Sequence, residues 1–151
     1  MASDPPPFVQ RGGMQIFPQP WAVRRGDYWG FILEADHAAM QASICDLLFN
    51  GPMGAPGRFR PAGDFTMLVF NHLPHLVSAA AGWESLGVMD EHEAAFWTLL
   101  QDTEADRLLW TQTYMVVNRG RAVSTGRETF GFPKEYGWID TPADAQRPDA
   151  F

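Results

Sequence analysis

The stretch "GRETFGFPKEYG", residues 126–137, sets Lys134 behind Phe130, Gly131, Phe132 and Pro133. It is the only lysine among 151 residues, against ten arginines. A guanidinium stays protonated at any working pH and forms no imine, whereas a desolvated lysine amine loses its proton and attacks carbonyls. A chain that meets the rest of its need for positive charge with arginine and keeps one amine points to amine chemistry. Proline at 133 lacks an N–H and biases Phe132 toward extended geometry, so Lys134 is expected where a strand ends or bulges. With strand alternation Phe130 and Phe132 share its face, and Gly131 admits a close backbone or ligand. Aromatic surroundings strip water from an amine, which disfavours the charged form of any such group.

The elements that must position this group read as follows. "RLLWTQTYMVVN" (107–118) is rich in β-branched and aromatic residues, ends at "NRG", and resumes as "RAVSTGRETFGF" (121–132). A hairpin with Lys134 at its end is expected. Upstream, "DYWGFILEA" (27–35) reads as a buried strand and "DFTMLVFNHL" (64–73) as a second one. Between them, "DHAAMQASICDLLFNG" reads as an amphipathic helix capped by Asp36 and stopped at Asn50-Gly51, with Ala39, Met40, Ile44, Leu47 and Leu48 as its apolar stripe. Cys45 falls inside it as a small buried side chain. Residues 51–63 are a loop by their Pro and Gly content, and "DEHEAAFWTLL" (90–100) fits a strand or a short helix. Residues 1–20, with five of the twelve prolines, are expected to form an extended arm, residues 21–140 the domain, and 141–151 an irregular tail.

"GRETFGFPKE" resembles the signature of the acetoacetate decarboxylase family: Gly-Arg-Glu, a few mostly apolar residues, an aromatic, then Pro-Lys. "YMVVNRGRAVSTGRE" is similar to the family's approach to that motif, and "DYWGFILEADHAAMQASICDLL" to its early strand and helix, so the likeness covers residues from about 20 to 140. The resemblance implies an α+β, mostly β fold, a cone-shaped antiparallel β-barrel or sheet with few helices. It implies Lys134 as the imine-forming nucleophile of a lyase acting on a small β-keto acid, with no metal or organic cofactor. Arg127 then either holds a substrate carboxylate or braces the turn, and Glu128 pairs with a neighbouring arginine. The family also places a glutamate in the cavity from an upstream segment, for which Glu93 is the first choice and Glu91 the second.

Two departures bear on that expectation. The family has a second lysine directly after the nucleophile, where this chain has Glu135; on a strand that carboxylate points to the opposite face. Relatives with altered cavities resemble aldolase-dehydratases that condense pyruvate with aldehydes through the same imine. The family also continues well past its lysine motif, so the chain is expected to be a fragment or a shortened relative whose cavity a second subunit closes, a homo-oligomer. A non-catalytic module holding a small ligand is the reading from another class.

The bulk numbers exclude other classes. A formal charge of −7 and scattered arginines argue against a nucleic-acid partner. No apolar run approaches the roughly 18 residues that span a bilayer, so no membrane partner is expected. The single cysteine rules out an internal disulfide framework, and with the polar N-terminus it leads to an expected cytoplasmic location. His72 and His75 are three residues apart, but Pro74 lies between them and no third ligand is in place, so no metal site is expected there. His37 and His92 read as surface or cap residues, and the tryptophans, Trp21, Trp29, Trp83 and Trp97 among them, as core or interface anchors.

Overall fold

The computed structural model describes residues 18–51, 54–83, 86–144 and 146–147. Most of the proline-rich arm therefore lies outside the described residues. Seven strands form one mixed sheet: β1 (Trp21–Val23), β2 (Asp27–Glu34), β3 (Phe59–Pro61), β4 (Phe65–Ser78), β5 (Val88–Asp102), β6 (Arg107–Val117) and β7 (Lys134–Tyr136). The path through the sheet is β1-β4-β5-β6-β7, with β2 also on β4 and β3 on β5; it does not close into a barrel. Every pairing is antiparallel except β6 with β7.

The segment that fitted strand or helix is the central strand β5. Its buried positions alternate through Met89, Glu91, Glu93 and Ala95, then change parity at a register shift between Phe96 and Trp97 and continue through Thr98, Leu100 and Asp102. That shift keeps one face of a long strand inward while the sheet bends. Its far end is held by Asp102, whose fully buried carboxylate accepts two 2.7 Å bonds from the Arg58 guanidinium.

The expected hairpin is not formed. Residues 120–130 coil into α2 (Gly120–Thr125) and a wider helical turn, Gly126–Phe130. Arg119 begins this helix with no side-chain cap, so the usual start signal is missing from the sequence. Gly131, at φ 69, ends it in the left-handed conformation, with its N–H on Arg127 O and the Phe132 N–H on Gly126 O. The turn allows β7 to return parallel to β6. Ala122 and Val123 of α2 then pack on Leu76, Met89 and Val117, forming the core on one face of the sheet.

The helix after β2 forms with Asp36 as its cap, its carboxylate accepting from Ala39 N at 2.7 Å. α1 (His37–Met40) widens into Gln41–Phe49, where the Asn50 N–H reaches Cys45 O. The wider turns break the 3.6-residue stripe, so Met40 and Cys45 are buried while Leu47 and Leu48 are exposed. β2 is likewise not buried: Trp29 is inside, but Tyr28 and Ile32 are about two-thirds exposed, because only β4 flanks the strand. Trp29 alone of the four expected anchors is buried; Trp21 and Trp83 are exposed. Among the described residues no helix is long and apolar enough to cross a membrane.

Candidate active site

Lys134 opens β7 opposite Met115 of β6, on the same sheet face as Glu91 and Glu93 of β5. Its ammonium reaches inward across that face. Nζ donates to Glu91 Oε1 at 3.0 Å and to Glu93 Oε2 at 3.4 Å. Glu93 stands directly opposite Asn71 of β4, whose Nδ2 donates to Glu93 Oε1 at 2.9 Å. All four side chains are buried: Lys134 is 7% exposed, Glu91 3%, Glu93 6% and Asn71 6%. Burial pushes the Glu93 carboxyl above its ordinary range; the Lys134 charge opposes this and the Glu91 charge adds to it. An amine thus sits between two carboxylates, and burial makes Glu93 easier to protonate than an ordinary carboxylate.

Gly126 makes room for this arrangement. A Cβ at that position would meet Lys134 Cδ at 2.5 Å and Cε at 2.8 Å, so the lysine stem crosses the helical turn where only a glycine fits. The first residue of the Gly-Arg-Glu triplet is therefore a steric requirement of the last residue of the Pro-Lys pair.

The other expected site residues are placed as follows. Arg127 is exposed and donates to Glu135 Oε1 at 2.9 Å, bracing the turn against β7. Glu135 points away from the amine, as strand alternation required. Glu128 is exposed, and the pairing expected of it with a neighbouring arginine is not found among the described residues. Phe130 and Phe132 do not share the Lys134 face by alternation, because Phe130 lies in the helical turn. Their rings stack on each other at 5.4 Å, with Phe130 also edge-on to Trp21 at 5.3 Å. They line the rim of a cleft of about 560 Å³ that includes Trp97, Gln112 and Pro133.

Trp97 also lines a second, more apolar cleft of about 290 Å³, with Tyr28, Gly30, Met67, Val69 and Asn71. Three buried polar atoms have no hydrogen-bond partner among the described residues: Asn71 Oδ1, Trp97 Nε1 and Gln112 Oε1. Buried polar groups are seldom left this way without a ligand or water to satisfy them. The residues that carry them line the two clefts, and Asn71 ties the smaller cleft to Glu93 and thence to the amine. Sequence reading did not single out Asn71 or Gln112, since neither stands in a motif; only the cross-strand register brings Asn71 onto Glu93.

No family model matches the chain, and no curated protein matches it in sequence. Solved structures do match it in fold. Acetoacetate decarboxylase from Legionella pneumophila subsp. pneumophila str. Philadelphia 1 superposes with a TM-score of 0.62 at 15% identity, over 89% of this chain and 44% of that one. The enduracididine biosynthesis enzyme MppR, with HEPES buffer bound, gives 0.63 at 18% identity, over 84% and 43%. A second acetoacetate decarboxylase structure gives 0.60 at 12% identity, over 83% and 43%. The fold is therefore the mostly β, acetoacetate decarboxylase-like one, and these neighbours are enzymes. The chain spans less than half the length of each.

Proposed function

We propose that the chain is an imine-forming lyase that decarboxylates a small β-keto acid through Lys134. The observation that carries this reading is the enclosure of its only lysine amine between Glu91 and Glu93, on a fold shared with acetoacetate decarboxylase. The raised Glu93 carboxyl takes a proton from the ammonium, and the freed amine attacks the substrate ketone. Loss of water gives a protonated imine, whose positive charge takes the place of the ammonium between the two carboxylates. The imine accepts the electron pair of the breaking C–C bond as carbon dioxide leaves. Glu93, which gives its first proton to the departing hydroxyl as water leaves, takes up another from solvent and delivers it to the enamine carbon, and hydrolysis releases the ketone and restores the amine. The substrate enters along the apolar cleft that shares Asn71 with the site.

A second reading, an aldolase-dehydratase joining a pyruvate-like keto acid to an aldehyde, is favoured by the presence of two carboxylates at the amine. Dehydration after an aldol step needs one group to remove a proton and another to protonate the departing hydroxyl. MppR has been solved with pyruvate and with the condensation product of pyruvate and imidazole 4-carboxaldehyde.

Proton NMR separates the two. Incubation with acetoacetate is expected to give acetone, and Lys134→Arg, which keeps the charge but forms no imine, is expected to give none above the spontaneous rate. Condensation of pyruvate with an aldehyde, without acetone formation, would transfer the assignment to the second reading. Turnover undiminished in Lys134→Arg would refute both.

A further inference from the structure

We propose that His72, Asp90 and His92 form a binding site for one divalent transition-metal cation of the zinc class, on the sheet face opposite Lys134. The site is built by register rather than by sequence spacing. β4 and β5 pair so that His72 stands directly opposite His92, twenty residues away in sequence, and their rings stack at 4.1 Å with an interplanar angle of 23°. Asp90, two residues before His92, shares that face because Glu91 and Glu93 take the other one. Asp90 Oδ1 is 3.0 Å from His72 Nε2 and 3.7 Å from His92 Nε2, and the three ligand atoms all lie within 4.8 Å of one another.

Bonds of about 2.0–2.1 Å in a tetrahedral arrangement put neighbouring ligand atoms about 3.3 Å apart. The cluster brackets that spacing, and a small opening of the two rings admits an ion. The surroundings favour the ligating state. Thr141 Oγ1 lies 3.1 Å from His92 Nδ1, and a proton donated by Nδ1 to that hydroxyl leaves the Nε2 lone pair facing Asp90. The Arg119 guanidinium donates to the Asp90 backbone carbonyl at 2.7 Å and reaches Asp90 Oδ2 at 4.0 Å, which leaves Oδ1 for the ion while its charge moderates the affinity. Asp90 and Arg119 also line an open cleft of about 360 Å³, a path in from solvent. Two imidazoles and one carboxylate suit zinc, cobalt or nickel rather than calcium or magnesium, which prefer all-oxygen shells. Three protein ligands leave a coordination position for water.

The test uses tag-free protein stripped with a chelator. Calorimetric titration with Zn²⁺ is expected to show one site per chain, and Co²⁺ to develop visible d–d absorption at the same stoichiometry. His72→Gln and His92→Gln are each expected to weaken Zn²⁺ binding by about a hundredfold or more, and Thr141→Val, which removes only the outer hydrogen bond, by about tenfold. His75→Gln, which alters a neighbouring histidine outside the cluster, is expected to leave it unchanged. Circular dichroism reports whether each variant keeps the sheet; should a histidine variant unfold, Asp90→Asn serves in its place. Absence of a saturable site in the native protein, or binding that survives loss of His92, overturns the proposal.

Discussion

Gly126→Ala probes the lysine stem from the helix that crosses it. The new Cβ would lie 2.5 Å from Lys134 Cδ, about 0.9 Å short of ordinary contact, with Cε at 2.8 Å and Cγ at 3.1 Å. Backbone strain plays no part, since Gly126 has φ −65 and ψ −45, and alanine in a helical turn gains about 1 kcal/mol over glycine. Against that stands overpacking of about 1–3 kcal/mol. The lysine stem, tied to Glu91 and Glu93, cannot yield freely; a retreat of about 0.9 Å takes Nζ out of hydrogen-bonding range of at least one of them. The expected net loss is about 0–2 kcal/mol in urea unfolding, and misplacement by about 1 Å lowers turnover about a hundredfold. Gly120→Ala is the control, because nothing lies within 4 Å of its added methyl; stability and turnover should hold or rise slightly. A Gly126→Ala protein with unchanged unfolding midpoint and turnover would refute the claim that this glycine exists to let the lysine pass.

Other outcomes follow from the same contacts. Replacing Glu91 and Glu93 together by glutamine leaves a buried ammonium without counter-charge and should cost about 3–5 kcal/mol in urea unfolding; an unchanged midpoint would mean that the amine is not held as described. The Arg58 guanidinium holds the Asp102 carboxyl well below its usual range. That contribution is therefore full above the ordinary carboxylate pKa and lost as pH falls toward the folded-state value. Asp102→Asn should accordingly lower stability at neutral pH and flatten its decline toward acid; parallel pH profiles would contradict this. Burial, with the Asp46 charge adding to it, pushes the Cys45 thiol up to about 11, so a disulfide reagent at neutral pH should leave it unmodified in the folded chain and label it promptly in denaturant.

The readable part of this fold was what local chemistry specifies. A single lysine behind Pro133 marked a buried amine, and the acidic stretch before "AAFWTLL" contained both of its carboxylate partners. The helix at 120–130 was not readable, because Val123, Ser124 and Thr125 favour extended chain, Arg119 supplies no cap, and the interior glycine answers to the lysine stem rather than to propensity. The same limit applies to Leu47 and Leu48, whose exposure follows from wide helical turns. His72 was paired by spacing with His75, while the fold pairs it with His92, a relation of strand register that no short motif records.

Reductive trapping tests the central claim most directly. Protein mixed with acetoacetate or pyruvate and borohydride, digested and mapped by mass spectrometry with the N-terminal amine controlled for, should carry the reduced keto-acid or ketone adduct on Lys134. An unmodified Lys134 under conditions in which substrate is consumed would contradict the account.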